Sequence, residues 1–319
     1  MPENAALPPE ASGEAVTRSG APLFIEPGHY YSPVVDPAAA AAALDRQARD
    51  PAPRAVPDVY IDRAAMIRLW RALLPDLRNA PFPRRKSEGF AFYFDNPAYS
   101  WGDALMYYAF LRHWRPRRVV EVGAGYSSAL LLDTLARDRP DGCDVTFVDP
   151  HPQVVRELFG SALDESRLIA ASVQECPVEV FTALEAGDFL FIDSTHVLKT
   201  GSDVCHELFR ILPALAPGVI AHFHDMFWPF EYPRAWVVDD NRSWNELYAI
   251  RAFLNGNAGY EVLMFNDYLA KTERRFVAET CPRFLWNPGG ALWLRKSTRL
   301  SATRLRLRRL MARGYADGG

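Results

Sequence analysis

The sequence predicts an α/β fold with a doubly wound, mostly parallel seven-stranded sheet, and three observations carry this prediction. Strand-like apolar runs alternate with helical periodicity, which is the order that produces a parallel sheet covered by helices. A buried-strand pattern at residues 119–122 leads directly into a Gly-x-Gly turn at Gly123 and Gly125. After a helical stretch, a second strand-like run ends in Asp149, 24 residues beyond Gly125.

Apolar periodicity and turn residues place the remaining elements. The predicted helices begin at Asp36-Pro37 and then occupy residues 61–77, 101–114 (with Ser100 as N-cap), 127–135, 152–159, 202–212 and 244–253. The predicted strands occupy residues 119–122, 145–149, 167–171, 189–193, 218–225, 260–265 and 291–294, and residues 90–97 form an extended aromatic segment. The pattern divides the chain into a disordered N-terminus (1–22), a helical and aromatic N-terminal extension (23–98), one ligand-binding domain (99–295) and a basic C-terminal tail (296–319).

The composition narrows the class of protein. With 319 residues, 49% of them hydrophobic, the chain can bury a sizeable core. A net charge of −3 gives no general attraction to polyanions, so we expect no nucleic-acid partner. The four cysteines form no C-x-x-C pair, which argues against a zinc knuckle and fits a reduced cytoplasm. No signal peptide or membrane-spanning run is visible, and we expect a cytoplasmic protein.

The glycine turn and Asp149 form the plan of a nucleotide-binding βαβ unit. Glycines let the backbone approach a ligand, and the acid can accept hydrogen bonds from ribose hydroxyls. Ser128 stands where a dinucleotide fingerprint has its third glycine, so that fingerprint is incomplete. Glu121, just before the turn, would repel a pyrophosphate but suits an ammonium or a sulfonium, and S-adenosylmethionine (SAM) carries both. We therefore expect SAM, with another nucleotide as the alternative.

The stretch from Glu121 to Gly125 resembles the first motif of the class I SAM-dependent methyltransferases, a family with a Rossmann-like fold. Residues 99–295 are similar to small-molecule O-methyltransferases of that superfamily. The resemblance implies an antiparallel last strand, SAM as cofactor and methyl transfer to a small-molecule acceptor. A hydroxyl of a sugar or natural product is the expected acceptor, and nitrogen or carbon acceptors stay open. The expected cofactor contacts are Ser100, Asp103, Glu121, Gly123, Gly125, Tyr126, Ser127, Asp149 and Gln174.

Ligands of open α/β sheets bind beyond the carboxyl ends of the strands, and acids and histidines gather at two such ends. Asp193 ends one strand and is followed by His196, whereas His224 and Asp225 end another. His224 is favoured over His222, which shares its face, because it lies nearer the strand exit. These residue types can supply the general base that an acceptor hydroxyl requires.

Two roles stay open for the acids. In the metal-dependent, catechol-type O-methyltransferases that this region resembles, acids at the positions of Asp193 and Asp225 bind a divalent ion such as Mg²⁺. The match is incomplete, because Met226 replaces an Asn or Asp and His196 replaces a lysine. In the alternative, metal-free reaction, His224 or His196 takes the proton and the carboxylates orient it. A third interpretation makes Asp225 only the cap of the following turn.

An aromatic segment follows Asp225 directly and forms an expected wall of the acceptor pocket, with a core plug or a dimer contact as the alternatives. The residues assigned to this wall are Trp228, Phe230 and Tyr232, joined by Trp236, Trp244, His29, Tyr30 and Tyr31. Residues 296–313 carry seven basic side chains and no acid. We expect a docked or solvated terminal helix there, with contact to RNA or an anionic membrane as the alternative. A homodimer is also expected.

Two further functions stay open. An NAD(P)-dependent oxidoreductase would use a similar fold, although Glu121 and Ser128 argue against it. A non-catalytic nucleotide- or RNA-binding module would use the fold and the basic tail without chemistry.

Overall fold

The computed structural model describes residues 17, 20–138 and 142–298. Its sheet has seven strands in the order β3-β2-β1-β4-β5-β7-β6. The strands are β1 (Arg118–Val122), β2 (Asp144–Val148), β3 (Leu168–Ile169), β4 (Phe189–Ile192), β5 (Ile220–Phe223), β6 (Tyr260–Phe265) and β7 (Leu292–Lys296). β7 runs antiparallel to both β5 and β6, whereas the pairs from β3 to β5 are parallel. The predicted seven-stranded α/β fold with an antiparallel last strand is confirmed.

Helices flank these strands, and most lie close to their predicted positions. The α-helices of the described residues are α1 (Pro37–Gln47), α2 (Arg63–Asn79), α3 (Trp101–Trp114), α4 (Tyr126–Asp138), α5 (Gln153–Phe159), α6 (Glu179–Thr182), α7 (Asp203–His206), α8 (Leu212–Ala214), α9 (Glu246–Leu254), α10 (Asn266–Thr272) and α11 (Arg274–Thr280). The predicted helix at 202–212 is real but contains a π-helical stretch, Glu207–Ile211, between α7 and α8. Such stretches concentrate at functional sites.

The core forms where the sheet is covered on both sides. All four residues of β4 and β5 are buried, as expected for central strands of a doubly wound sheet. Helix α3 is buried along most of its length, from Trp101 to Leu111, so its apolar residues face protein on all sides. This rigid core fixes the carboxyl ends of β1, β4 and β5 beside one another.

Three local predictions need correction. Residues 90–97 contain no strand, and the chain turns at residues 94–95, whose backbone N–H groups donate to the carbonyls of Pro83 and Arg84. Ser100 is the N-cap residue of α3 as predicted, but its hydroxyl donates to the Phe94 carbonyl and makes no capping bond. Lys296, taken as the start of the tail, ends β7.

The buried ammonium of Lys296 donates to the carbonyls of Leu212 and Pro213. Residues 299–319 of the predicted tail, and most of the predicted disordered N-terminus (1–22), lie outside the described residues.

The chain divides into two compact units. One consists of residues 1–50 and 233–243, and the other of residues 51–232 and 244–319. Within the described part of the first unit, Asp36 caps α1 through Ala38, and Arg234 pairs with Asp45. The second unit contains the whole sheet. The predicted N-terminal extension, 23–98, thus contributes residues to both units.

Across the ranges 20–138 and 142–298, no helix is long and apolar enough to cross a membrane.

Candidate active site

The glycine turn after β1 is fixed by its neighbours. Gly123 has a φ of 87°, and a Cβ there would lie 2.0 Å from the carbonyl oxygen of Asp193. Its N–H donates to Val148 at 3.0 Å, which ties the turn to β2. Gly125 differs, because a Cβ at that position would meet only Val154, at 3.9 Å. One glycine is therefore required by packing, whereas the other borders open space in which a ligand can approach the backbone.

Glu121 lies at the end of β1 with no exposed surface. Its Oε1 accepts hydrogen bonds from the hydroxyls of Ser127 (2.6 Å) and Ser128 (2.8 Å). Its buried Oε2 has no hydrogen-bond partner among the described residues. Burial raises the pKa of Glu121 to about 8, although both serines oppose the shift. A buried carboxyl oxygen without a partner is costly, and a cationic group bound beside it would remove that cost.

Asp149, at the end of β2, is held by two backbone groups. Its Oδ2 accepts from the N–H of Ala124 at 2.8 Å, and its Oδ1 accepts from the N–H of His151 at 2.6 Å. A carboxylate has about four acceptor sites, so two further donors can still be accommodated. The first bond joins Asp149 to the glycine turn.

At the ends of β4 and β5, two acids and two histidines form a quartet consisting of Asp193, His196, His224 and Asp225. Nε2 of His196 lies 3.4 Å from Asp193 and 3.5 Å from Asp225. Nδ1 of His224 lies 3.3 Å from Asp193 and 3.6 Å from Asp225. The structure therefore brings together all four residues predicted to perform chemistry.

Each histidine of the quartet has a second carboxylate on its other ring nitrogen. Nδ1 of His196 lies 2.8 Å from Oε2 of Glu246, at the start of α9. Nε2 of His224 lies 3.3 Å from Oδ2 of Asp103, in α3. Both rings are thereby oriented, with one nitrogen toward the quartet and the other toward an outer acid.

The electrostatic balance makes both histidines cationic near neutral pH. Burial alone would lower the pKa of His196, but hydrogen bonds to Asp193 and Glu246 outweigh burial and raise the pKa to about 10. Burial is likewise outweighed at His224, where the charges of Asp225 and Asp193 raise the pKa well above its usual range. Burial opposes ionisation of Asp193 as well, yet the two histidines lower its pKa. The quartet thus contains imidazolium–carboxylate pairs.

Two residues of the quartet have a backbone conformation that non-glycine residues rarely adopt. The φ angle is 60° at His196 and 58° at Asp225. Such positions cost free energy and persist only where the surroundings enforce them. At His196 the enforcement is visible, because its carbonyl accepts hydrogen bonds from the N–H groups of both Asn245 and Glu246, each at 3.1 Å.

We tested whether the quartet also fits a metal ion. Oxygen and imidazole donors suit divalent ions chemically. In the part of the chain that the structure describes, however, no group of three or more His, Cys, Asp or Glu side chains is arranged to hold one. The ring nitrogens of His196 and His224 are directed at carboxylates instead. We derive no step through a metal, and metal binding by Asp193 and Asp225 stays a prediction.

Several predicted cofactor residues have partners within the protein. Asp103 is buried, and besides His224 it accepts hydrogen bonds from the N–H groups of Gly290 and Ala291 and from the amide of Asn266. Asp103 therefore links α3 to the segment just before β7 and to the end of β5.

The other predicted contacts lie nearer the surface of the molecule. The Gln174 amide donates to the Gly201 carbonyl at 2.9 Å, and the Tyr126 hydroxyl lies 3.3 Å from that of Tyr93. The roles of these residues, of Asp103 and of Ser100 in cofactor binding stay predictions.

The predicted aromatic wall is largely a packed part of the protein. Trp228 has no exposed surface, and its indole N–H donates to the Pro53 carbonyl. Phe230 is 2% exposed and packs on Phe265, with 5.6 Å between the ring centroids. This packing favours the core-plug alternative over the acceptor wall for both residues.

The other members of the predicted wall are placed differently. Tyr232 is also buried, and its hydroxyl accepts from the N–H of Leu247. Trp244 lies beside the quartet, with its ring centroid 4.4 Å from that of His196. The remaining predicted wall residues belong to the unit formed by residues 1–50 and 233–243, and their contact with substrate stays a prediction; they are His29, Tyr30, Tyr31 and Trp236.

Sequence reasoning did not identify Glu246. An acid in the first turn of a helix is usually explained by the helix dipole, so its type and position gave no separate signal. Asn245 was also missed; its side chain accepts from the Leu198 N–H and donates to the Leu198 carbonyl. Both residues act on the loop after β4 from a distant part of the sequence.

Comparison with known proteins agrees with this geometry. Residues 120–226 match the family model described as a methyltransferase domain. This part of the chain is therefore similar to a methyltransferase domain. The matched segment runs from β1 to the residue after Asp225, so it includes the glycine turn, Asp149 and the quartet.

Relatives of the methyltransferase domain are distant. An uncharacterised protein of Archaeoglobus fulgidus is 26% identical over 175 residues, which covers 54% of this chain and 79% of the relative. An SAH-bound methyltransferase of Podospora anserina, PaMTH1, is 15% identical with a TM-score of 0.39, covering 82% of this chain and 96% of that one. A candidate O-methyltransferase of Klebsiella pneumoniae is 14% identical with a TM-score of 0.38, covering 82% and 97%. We draw no conclusion from structural likeness at these TM-scores.

Proposed function

We propose that this methyltransferase transfers a methyl group from SAM to a hydroxyl of a small-molecule acceptor. One observation carries the proposal: the buried Oε2 of Glu121 has no partner among the described residues and lies at the same sheet edge as the quartet. A site for a cation and a site for proton transfer thus stand side by side, as methyl transfer from a sulfonium to an oxygen requires. The matched methyltransferase domain includes both.

The residues around the turn have distinct roles in this proposal. Glu121 receives the cationic end of SAM, with Ser127 and Ser128 fixing its other oxygen. Asp149 accepts hydrogen bonds from the ribose hydroxyls, and Gly125 lets the backbone approach the cofactor. The same position of Asp149 would serve a nicotinamide cofactor, but a pyrophosphate brings no cationic group to the buried, unpartnered oxygen of Glu121. For this reason the oxidoreductase remains the second candidate.

When bound, SAM supplies a methyl group that is already activated for transfer. The protein's task is to hold the acceptor oxygen in line with the methyl group and to remove its proton. A histidine of the quartet takes that proton in its neutral form. The positive charge of a bound sulfonium near the quartet would lower the pKa of the imidazolium groups, which favours the neutral form.

The quartet supports oxygen as the acceptor, because an alcohol must lose a proton on methylation whereas a thioether or tertiary amine need not. Assistance by Mg²⁺, action in the cytoplasm, a homodimer and the absence of a nucleic-acid partner remain parts of this proposal that need their own measurements. An RNA-binding module would need no proton-accepting quartet, which makes it the weaker alternative.

The proposal is tested by incubating the protein with methyl-labelled SAM and a panel of sugars, phenols and other hydroxyl compounds, with and without added Mg²⁺. Label transferred to an oxygen, with release of one S-adenosylhomocysteine (SAH) per transfer, is the expected result. SAH binding with transfer to amines alone would contradict the hydroxyl assignment. Binding of NADH in place of SAH would favour the oxidoreductase.

A further inference from the structure

We infer that Glu246 is a positioning residue for His196, and that His196 rather than His224 takes the acceptor proton. This inference rests on the proposed methyl transfer and deepens it. It depends on the contacts between the start of α9 and the loop after β4, a pair of segments that the sequence does not bring together.

Three consecutive residues, 244–246, form a clamp on His196. The backbone N–H groups of Asn245 and Glu246 both donate to the His196 carbonyl. The ring of Trp244 packs against the imidazole, and Glu246 bonds to its Nδ1 at 2.8 Å. Backbone and side chain of His196 are thus held by one short segment, which explains how its φ of 60° is maintained.

The clamp also decides which ring nitrogen is available. A carboxylate on Nδ1 keeps the proton on that nitrogen, so the lone pair of a neutral His196 is on Nε2. Nε2 is the atom that lies 3.4 Å from Asp193 and 3.5 Å from Asp225, at the carboxyl ends of β4 and β5. The accepting nitrogen of His196 therefore faces the place where an acceptor hydroxyl must lie.

The outer acid of His224, Asp103, is shared among several hydrogen-bond donors. Asp103 divides its two oxygens among Gly290, Ala291, Asn266 and the histidine, and its contact with His224 is 3.3 Å. Oε2 of Glu246, by contrast, contacts His196 at 2.8 Å, and its buried Oε1 has no hydrogen-bond partner among the described residues. Asp103 serves mainly to hold the fold together, whereas Glu246 serves the histidine.

The charged groups that face His196 are Asp193, Asp225 and Glu246, with Glu207 nearby. Glu207 is buried and receives the Ser194 hydroxyl at 3.2 Å. Burial raises its pKa well above the usual range. Replacing Glu207 by Gln keeps size and burial at a second buried acid near His196 that makes no hydrogen bond to the ring, which makes it the matched control for the same change at Glu246.

In the proposed reaction, the acceptor oxygen forms a bond to the methyl carbon while the bond between that carbon and sulfur breaks. The sulfur keeps the electron pair of the broken bond. The acceptor's proton passes to Nε2 of His196, which becomes an imidazolium paired with Glu246. The products are the methyl ether, SAH and one proton, which His196 later releases to water.

The test compares Glu246→Gln, Glu207→Gln and the unchanged protein in methyl transfer and in nitrogen-15 NMR of the histidine rings. In Glu246→Gln the ascending limb of the kcat profile, along which His196 loses its proton, should move to lower pH by at least about one unit, and the plateau above it should fall at least about tenfold. KM for SAM should stay the same. In Glu207→Gln the limb should not move.

The results that would overturn the inference are equally specific. The positioning role of Glu246 is refuted if the ascending limb of the kcat profile stays at the same pH in Glu246→Gln. It is also refuted if neutral His196 keeps its proton on Nδ1 in that variant. If the ascending limb of the kcat profile persists in His196→Gln and disappears in His224→Gln, then His224 is the base.

The NMR measurement also separates this inference from the proposed function. If Glu246→Gln fails to fold, the unchanged protein still decides, because a neutral His196 protonated on Nε2 contradicts the clamp. NMR reads the ring without any turnover, so a protein with an ordered Nδ1–H but no methyl transfer would refute the function and leave the clamp intact.

Discussion

Nδ1 of His224 lies 3.3 Å from Oδ1 of Asp193, which joins the ends of two neighbouring parallel strands. The contact exists because β4 and β5 pair in a register that matches Ile192 with Phe223. The residues just after this matched pair, Asp193 and His224, therefore leave the sheet side by side. Sheet topology thus assembles the quartet, and loops from elsewhere only complete it.

The two glycines of the turn should respond differently to substitution by alanine. Gly123→Ala forces a Cβ to within 2.0 Å of the Asp193 carbonyl at a φ of 87°, and should lower the free energy of unfolding by on the order of 2 kcal/mol or more. Gly125→Ala meets only a side-chain methyl at 3.9 Å and should leave stability nearly unchanged while weakening SAH binding. Urea unfolding and calorimetry check the pair, and equal destabilisation would contradict the packing described.

Trp228 distinguishes the core plug from the acceptor wall. Trp228→Phe removes the indole hydrogen bond to Pro53 and leaves a cavity beside Tyr268, so the free energy of unfolding should fall by about 1–3 kcal/mol. KM for the acceptor should not change, because the side chain is sealed from solvent. Urea unfolding and steady-state kinetics measure the two effects; a raised KM with unchanged stability would return Trp228 to the acceptor wall.

Asp103 should matter more for stability than for cofactor affinity. Asp103→Asn leaves buried donors at Gly290, Ala291 and His224 without a charged acceptor, and should cost about 3 kcal/mol. The exposed acid Asp95, whose partner Arg84 is 68% exposed, provides the control, since Asp95→Asn should change stability little. Chemical unfolding measures both. Unchanged stability with lost SAH binding would instead support the predicted cofactor contact of Asp103.

The free energy of unfolding should fall as the pH rises and His196 loses its proton. The pKa of His196 is raised from an unfolded value near ~6.5 to about 10 in the folded state. Its contribution is therefore complete below pH ~6.5 and disappears as the pH rises through about 10. The difference in unfolding free energy between the unchanged protein and His196→Gln should shrink across that window. A difference that grows with pH would mean that His196 is neutral in the folded protein.

The sequence was sufficient for the sheet because its strands are short apolar runs bounded by turn residues, as at 119–122 and 189–192. It was sufficient for the quartet because both acids directly follow such runs. It failed at residues 90–97, where aromatic composition suggested an extended segment but the chain turns at residues 94–95 and bonds to residues 83 and 84.

The sequence could not pair the outer acids Glu246 and Asp103 with their histidines, for a different reason. Glu246 lies fifty residues after His196 and Asp103 lies 121 residues before His224, and both pairings depend on how helices pack over the sheet. Burial of Trp228 and Phe230 was likewise decided by tertiary packing, because an aromatic run after a strand fits a pocket wall and a core plug equally well.

The most direct test of the central claim is calorimetric titration of SAH into the unchanged protein and into Asp149→Ala, each with and without Mg²⁺. The account predicts micromolar binding by the unchanged protein and its loss in the variant, because Asp149 is held at the end of β2 beside the glycine turn. Circular dichroism should confirm that the variant remains folded. Failure of the unchanged protein to bind SAH under either condition, or equal binding by the variant, would contradict the SAM site.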